Sequence, residues 1–112
     1  MNTAYLQVRL MELLQRHRGH ENAIPREKLL FELQSIDPKL DDRRFREIYS
    51  ALPICTSPDG MFIAKTPEEV QEFKEYLTNG WGPLVAARRV KIVFAYFPSL
   101  AVSSMKQRDL GI

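Results

Sequence analysis

Apolar residues recur at helical spacing in three stretches of the first half of the chain. From residue 3 to about residue 17, leucines return every three or four positions, and a second stretch from Pro25 to about residue 35 has the same period. A third stretch, residues 41–52, places its apolar side chains on one face, namely Phe45, Ile48, Tyr49 and Leu52. The pattern predicts three short helices.

The third predicted helix leads directly into two runs of strand-favouring residues, within residues 53–65. They are joined by Pro58-Asp59-Gly60, in which proline presets φ, aspartate bonds back to the backbone and glycine accepts a positive φ. This segment therefore predicts a β-hairpin. Residues 23 and 24, between the first two helices, form a short extended piece that could add a third strand.

Two more helices are expected after the hairpin. Thr66 and Pro67 are start signals for a fourth helix, which we expect to continue to about Thr78 and to be stopped by the glycines and proline of residues 79–83. A fifth helix is predicted over residues 83–97. The predicted class is α+β and mainly α: three helices and a hairpin wing, the layout of a winged helix-turn-helix, with two further C-terminal helices.

The fifth helix carries more apolar residues than a surface helix needs. It can pack along the first helix of its own chain, or it can meet the same helix of a second copy in a homodimer. We favour the second interpretation, with residues 1–82 as the winged-helix domain and residues 83–112 as a dimerisation element. The predicted dimer contacts are Leu84, Val85, Val90, Ile92, Val93, Phe94, Tyr96 and Phe97.

Composition narrows the class of protein only slightly. The 112 residues, 45% of them hydrophobic, suffice for one core, and the formal charge of +2 neither requires nor excludes a polyanionic partner. The single cysteine, Cys55, cannot form an internal disulfide, and no signal peptide is recognisable, so we expect a cytoplasmic protein. The apolar stretch of residues 84–102 is interrupted by charges and a proline, which argues against a membrane span.

The outer face of the third helix is the best candidate for a binding surface. Its arginines can contact guanine or phosphate, and the start of the second helix points toward the DNA backbone in this layout. The alternative is a solvated face on which Asp42 and Glu47 neutralise the arginines. The predicted DNA contacts are Arg26, Lys28, Asp42, Arg43, Arg44, Arg46, Glu47, Ser50, Ser57 and Lys65.

Other reactive residues give weaker signals. His17 and His20 lie three positions apart at a helix end without a further ligand nearby, so we expect surface or capping roles rather than a metal site. The sequence has no phosphate-binding glycine loop and no catalytic triad, which predicts a non-enzyme without a cofactor or metal. Trp81 is expected to cover the edge of the core, with a partner anchor as the alternative. Arg88, Arg89 and Lys91 either reach DNA across a dimer or keep an apolar helix soluble.

Several segments together resemble a group of small phage and prophage winged-helix proteins. These are Glu21-Asn22-Ala23-Ile24-Pro25 before the second helix, Pro53-Ile54-Cys55-Thr56 leading into an Asp-Gly wing, and the acidic helix start at residues 66–69. The resemblance covers about residues 13–78 and implies a helix-turn-helix bound to duplex DNA. It departs from that pattern at the wing tip, which has no Lys or Arg.

Layout and resemblance together lead to one hypothesis and one rival. The hypothesis is a dimeric protein that binds double-stranded DNA and regulates transcription or replication in a phage or mobile element. The rival is a winged-helix module that binds a host polymerase or replication component without touching DNA. The near-neutral charge, the uncharged wing tip and the acidic fourth helix favour the rival.

Overall fold

The computed structural model describes residues 3–101 and is an α+β structure composed mainly of helices. A single helical turn of the 3₁₀ type, His20–Asn22, separates the first two α-helices. The remaining elements, in chain order, are α1 (Thr3–Leu14), α2 (Arg26–Gln34), α3 (Asp42–Ser50), β1 (Cys55–Ser57), β2 (Gly60–Phe62), α4 (Pro67–Trp81) and α5 (Pro83–Tyr96).

The first three helices pack around one hydrophobic cluster. The predicted stripes supply it, since the leucines of α1 and α2 and the apolar face of α3 are buried together. Asp41 begins α3 by accepting a hydrogen bond from the backbone N–H of Arg44 at 2.8 Å, which satisfies one of the free donors of the first turn. This cap fixes where α3 starts.

Strands β1 and β2 form an antiparallel hairpin that is covered on both faces. Cys55 pairs with Phe62, and side chains alternate across the pleat. Ile54, Met61 and Ile63 enter the cluster formed by α1, α2 and α3. Cys55, Phe62 and Ala64 enter a second cluster, which α4 and α5 complete. The hairpin therefore stands between two groups of helices.

A third extended segment pairs with the hairpin, as predicted for residues 23 and 24. The backbone N–H of Ile24 donates to the carbonyl of Met61 at 2.9 Å, and the N–H of Met61 donates back at 2.8 Å. Gly60 lies beside this bridge with φ 131°, and a Cβ there would run into the Ile24 carbonyl. A side chain at residue 60 is therefore excluded by both conformation and space.

One carboxylate joins the 3₁₀ turn, the end of the hairpin and the start of α4. Thr66 caps α4 by accepting from the N–H of Glu69 at 3.2 Å. The Glu69 side chain reaches back to accept from the N–H of Lys65 at 2.7 Å and from the N–H of His20, also at 2.7 Å. The arrangement resembles a capping box extended to a second segment of the chain.

One feature of the C-terminal half differs from expectation. Helix α4 does not end near Thr78; it continues through Gly80 to Trp81 and stops at Gly82, whose φ of 97° breaks the helical path. The domain boundary predicted at residue 82 falls between two helices that share the second hydrophobic cluster. The expected tail beyond residue 101 lies outside the described residues.

Candidate nucleic-acid interface

The outer face of α3 is open, because Phe45, Ile48 and Tyr49 hold the opposite face in the core. Arg43 has 88% of its side chain exposed, and Arg46 has 49%. A row of charged groups thus runs along an accessible helix of the length that a DNA groove accommodates.

Each of these two arginines faces an acidic side chain on the same helix. Nε of Arg43 lies 3.6 Å from a carboxylate oxygen of Glu47, and an Nη of Arg46 lies 3.8 Å from Asp42. Exposed pairs of this kind contribute little to stability. The neutralised face that the sequence offered as an alternative is therefore present, but it is held together weakly.

Two other predicted contacts are turned toward the protein. Nη1 of Arg26 donates to Asp42 at 2.7 Å, and its guanidinium lies 5.0 Å from the ring centre of Phe45 and 5.7 Å from that of Tyr49. This hydrogen bond lowers the pKa of the Asp42 carboxyl. Arg44 lies 3.7 Å from Asp37, which is buried. Arg26 and Arg44 thus have structural partners, whereas Lys28 is exposed on α2.

The residues of the predicted wing also make internal contacts. The Ser57 hydroxyl donates to the Gly60 carbonyl at 3.2 Å and accepts from the N–H of Asp59. Asp59 in turn lies 3.0 Å from Nε2 of His20, and Lys65 pairs with Glu21. Four carboxylates line the surface on one side of the turn, namely Glu21, Asp59, Glu69 and Glu72, and their charge disfavours a phosphate backbone there.

A groove opens beside the C-terminal end of α3, where the corner between α4 and α5 approaches. It has a volume of about 230 Å³ and is lined by Arg46, Tyr49, Ser50, Thr56, Leu77, Trp81, Val85, Arg88 and Arg89. Trp81 is 60% exposed, and the guanidinium of Arg46 lies over its ring, 5.5 Å from the ring centre. Of the two expectations for Trp81, the exposed position fits a partner anchor better than a cover over the core.

Arg89 is the residue that sequence reasoning misplaced. We expected it to be exposed, either near DNA or as a solubilising charge, yet it is only 8% exposed. Its guanidinium lies over the rings of Tyr49 and Phe73, 5.6 and 5.5 Å from their centres, and donates to the Ile54 carbonyl at 3.1 Å. Burial lowers the pKa of Arg89. No periodic signal distinguishes it from Arg88, which is exposed.

The residues predicted to form a dimer contact are divided between core and surface. Val90 and Val93 are buried in the chain's own second cluster, so their side chains are not available to a second copy. Leu84 and Tyr96 are exposed, at 82% and 57%. The other four residues of the set have intermediate exposure. They are Val85, Ile92, Phe94 and Phe97.

Cys55 is the remaining candidate nucleophile, and its side chain is buried. Burial raises the pKa of the Cys55 thiol to about 12, so it is protonated and unreactive at neutral pH. Within residues 3–101, no three potential ligands from His, Cys, Asp and Glu group together as a metal site. Over the same residues, no helix combines the length and the apolar character that crossing a bilayer requires.

Comparison of the chain with protein-family models, curated proteins and solved structures gives no match.

Proposed function

We propose that this protein binds double-stranded DNA through the outer face of α3. The observation that carries the proposal is the exposure of Arg43 and Arg46 on a helix whose opposite face is buried in the core. The order of three helices and a hairpin, with Ile24 pairing to β2, supports a winged helix-turn-helix, in which this helix enters the major groove.

The ion pairs on α3 do not oppose this proposal. Releasing Arg43 from Glu47, or Arg46 from Asp42, costs little, because both pairs are exposed and longer than 3.5 Å. A bidentate contact between arginine and guanine contributes about 1 to 3 kcal/mol of discrimination. Exchange of partners is therefore favourable when the correct base is present.

The proposal narrows the predicted contacts. Arg43, Arg46 and Ser50 make the groove contacts, and Lys28 on α2 contacts phosphate. The wing contributes little, since its hydroxyl is used within the turn and its lysine is paired with Glu21. Arg26 and Arg44 support α3 rather than contacting DNA. A role in transcription or replication of a phage or mobile element remains part of the same proposal.

Selection from random duplexes followed by fluorescence anisotropy tests the proposal. We expect Arg43→Ala and Arg46→Ala each to weaken binding about tenfold and to relax the base preference, whereas Lys28→Ala should lower the salt slope by about 1. The matched control is Arg9→Ala, which removes an exposed arginine that pairs with Glu12 on α1. Folded wild-type protein that binds no duplex at low salt, or an equal loss in the control, would refute it.

A second candidate function is protein binding, and exposed apolar groups at the α4–α5 corner favour it. Trp81 and Leu84 lie three residues apart there, with 60% and 82% exposure. Such neighbouring groups suit a second copy of the chain or a host replication or transcription protein. The dimer is tested by light scattering: Leu84→Glu should give monomers, while Val8→Glu, at an exposed position on α1, should not.

A host partner requires a different measurement. A photo-crosslinker at residue 84 should capture one defined protein from nuclease-treated lysate, and the same label at residue 8 should not. This candidate replaces the first only if the folded chain has no affinity for duplex DNA.

A further inference from the structure

The groove beside α3 combines positive charge, aromatic faces and hydroxyl groups. It has a volume of about 230 Å³, and two of its arginines lie on α5 and one on α3. The charged, aromatic and hydroxyl side chains that line it include Arg46, Tyr49, Ser50, Trp81, Arg88 and Arg89. Arg46 and Ser50 are also proposed DNA contacts, whereas Trp81, Arg88 and Arg89 are not.

Arg89 supplies a buried cation at the groove wall. It is 92% buried, and its Nε has no hydrogen-bond partner among residues 3–101. Within the same residues no carboxylate forms an ion pair with it, and its single hydrogen bond goes to a backbone carbonyl. Because an uncompensated buried charge is costly, an oxyanion in the groove would be strongly favoured.

The surroundings of Arg89 hold this charge in place before any ligand arrives. Rings of Tyr49 and Phe73 lie 5.6 and 5.5 Å from its guanidinium, and the Ile54 carbonyl fixes its orientation. A charge that is already positioned loses little conformational freedom on binding. Arg88, the next residue, is exposed and pairs with no carboxylate in the described part of the chain.

Trp81 supplies the opposite character, a large flat apolar surface at the rim. It is 60% exposed, and Arg46 lies over its ring at 5.5 Å. Flat rings stack against such a surface. Sites for drug-sized molecules commonly have volumes of about 300 to 1,000 Å³, so this smaller groove suits a ligand with a single ring.

We propose that this groove binds a small aromatic acid, in which an oxyanion faces Arg88 and Arg89 and one flat ring lies against Trp81. The shared chemistry is the oxyanion on a ring, carried either by a carboxylate or by a phosphate ester. The oxyanion and the ring contact Arg88, Arg89 and Trp81, none of which is a proposed DNA contact, so ligand binding is measured separately from DNA binding.

The full chain is tested with benzoate and with phenyl phosphate. Trp81 is the only tryptophan, so its fluorescence reports on the groove directly. We expect saturable quenching and a raised melting temperature with at least one of the two acids, and the tighter of them identifies the source of the oxyanion. The uncharged benzamide should bind at least about tenfold more weakly, as should ringless inorganic phosphate.

Three variants separate the site from unspecific effects. Arg88→Gln, at an exposed position, and Arg89→Met should each weaken binding about tenfold or more, since each removes a charged donor. The control Lys91→Gln lies on the same helix outside the groove and should bind normally. Circular dichroism establishes that Arg89→Met is folded, and Arg88→Gln decides the matter if it is not.

Four results would overturn the proposal. They are no saturable binding of either acid at millimolar concentration, equal binding of benzamide, equal binding of inorganic phosphate, and unchanged affinity in both arginine variants.

Discussion

The carboxylate of Glu69 lends itself to a quantitative test of how this fold is held together. It accepts hydrogen bonds from the backbone N–H groups of His20 and Lys65, both at 2.7 Å. Hydrogen bonds to a charged group contribute about 1.5 to 3 kcal/mol when well buried. Because this carboxylate is only half-buried, we discount the pair and expect Glu69→Ala to lower the free energy of unfolding by about 2 to 3 kcal/mol.

The neighbouring glutamate provides the matched control. Glu68 lies in the same first turn and is exposed, so Glu68→Ala loses only its interaction with the helix dipole, about 0.3 to 1 kcal/mol. Glu69→Gln retains one acceptor oxygen and should fall between the two. Urea unfolding followed by circular dichroism measures all three. If Glu69→Ala costs no more than Glu68→Ala, the carboxylate does not join these segments and our account of the junction is wrong.

Three further predictions follow from individual residues. Gly60→Ala should destabilise the fold by about 2 kcal/mol or more through its positive φ and its clash, whereas Gly80→Ala, with open space in α4, should stabilise it by about 0.5 to 1 kcal/mol; thermal unfolding measures both. Cys55, with a pKa of about 12, should react with Ellman's reagent at neutral pH only as fast as the fold opens. The lowered pKa of Asp42 stabilises the fold above the usual pKa of an aspartate, and this contribution is lost as pH falls through the lowered value; in an NMR titration Arg26→Gln should move that pKa upward.

Local signals predicted most of the elements. Asp41 and Thr66 are caps that act within one helical turn, so the starts of α3 and α4 follow from neighbouring residues alone. The hairpin likewise follows from a turn sequence of three residues. The extended segment at Ile24 was also recognisable, because a β-branched residue lies there between two predicted helices and before a proline.

Long-range contacts account for what the sequence did not reveal. The inward turn of Arg26 depends on Asp42, 16 positions away, and the burial of Arg89 depends on Tyr49 and Ile54 from other elements. Neither is visible in the period of its own helix. The end of α4 was misplaced at Thr78 because a glycine inside a helix costs only about 1 kcal/mol, which packing readily outweighs.

The two-sided burial of the hairpin has a consequence for dissecting this chain. A pair of strands only three residues long is not stable alone in water, so the hairpin needs packing from both helical groups. Each group therefore depends on the other for the hairpin that they share. Cutting the chain after Trp81 would expose part of Phe62 and Phe73 to solvent, because the α5 side chains that complete their cluster would be missing. Such a fragment should aggregate when it is expressed. Any assay of DNA or ligand affinity therefore needs the intact chain.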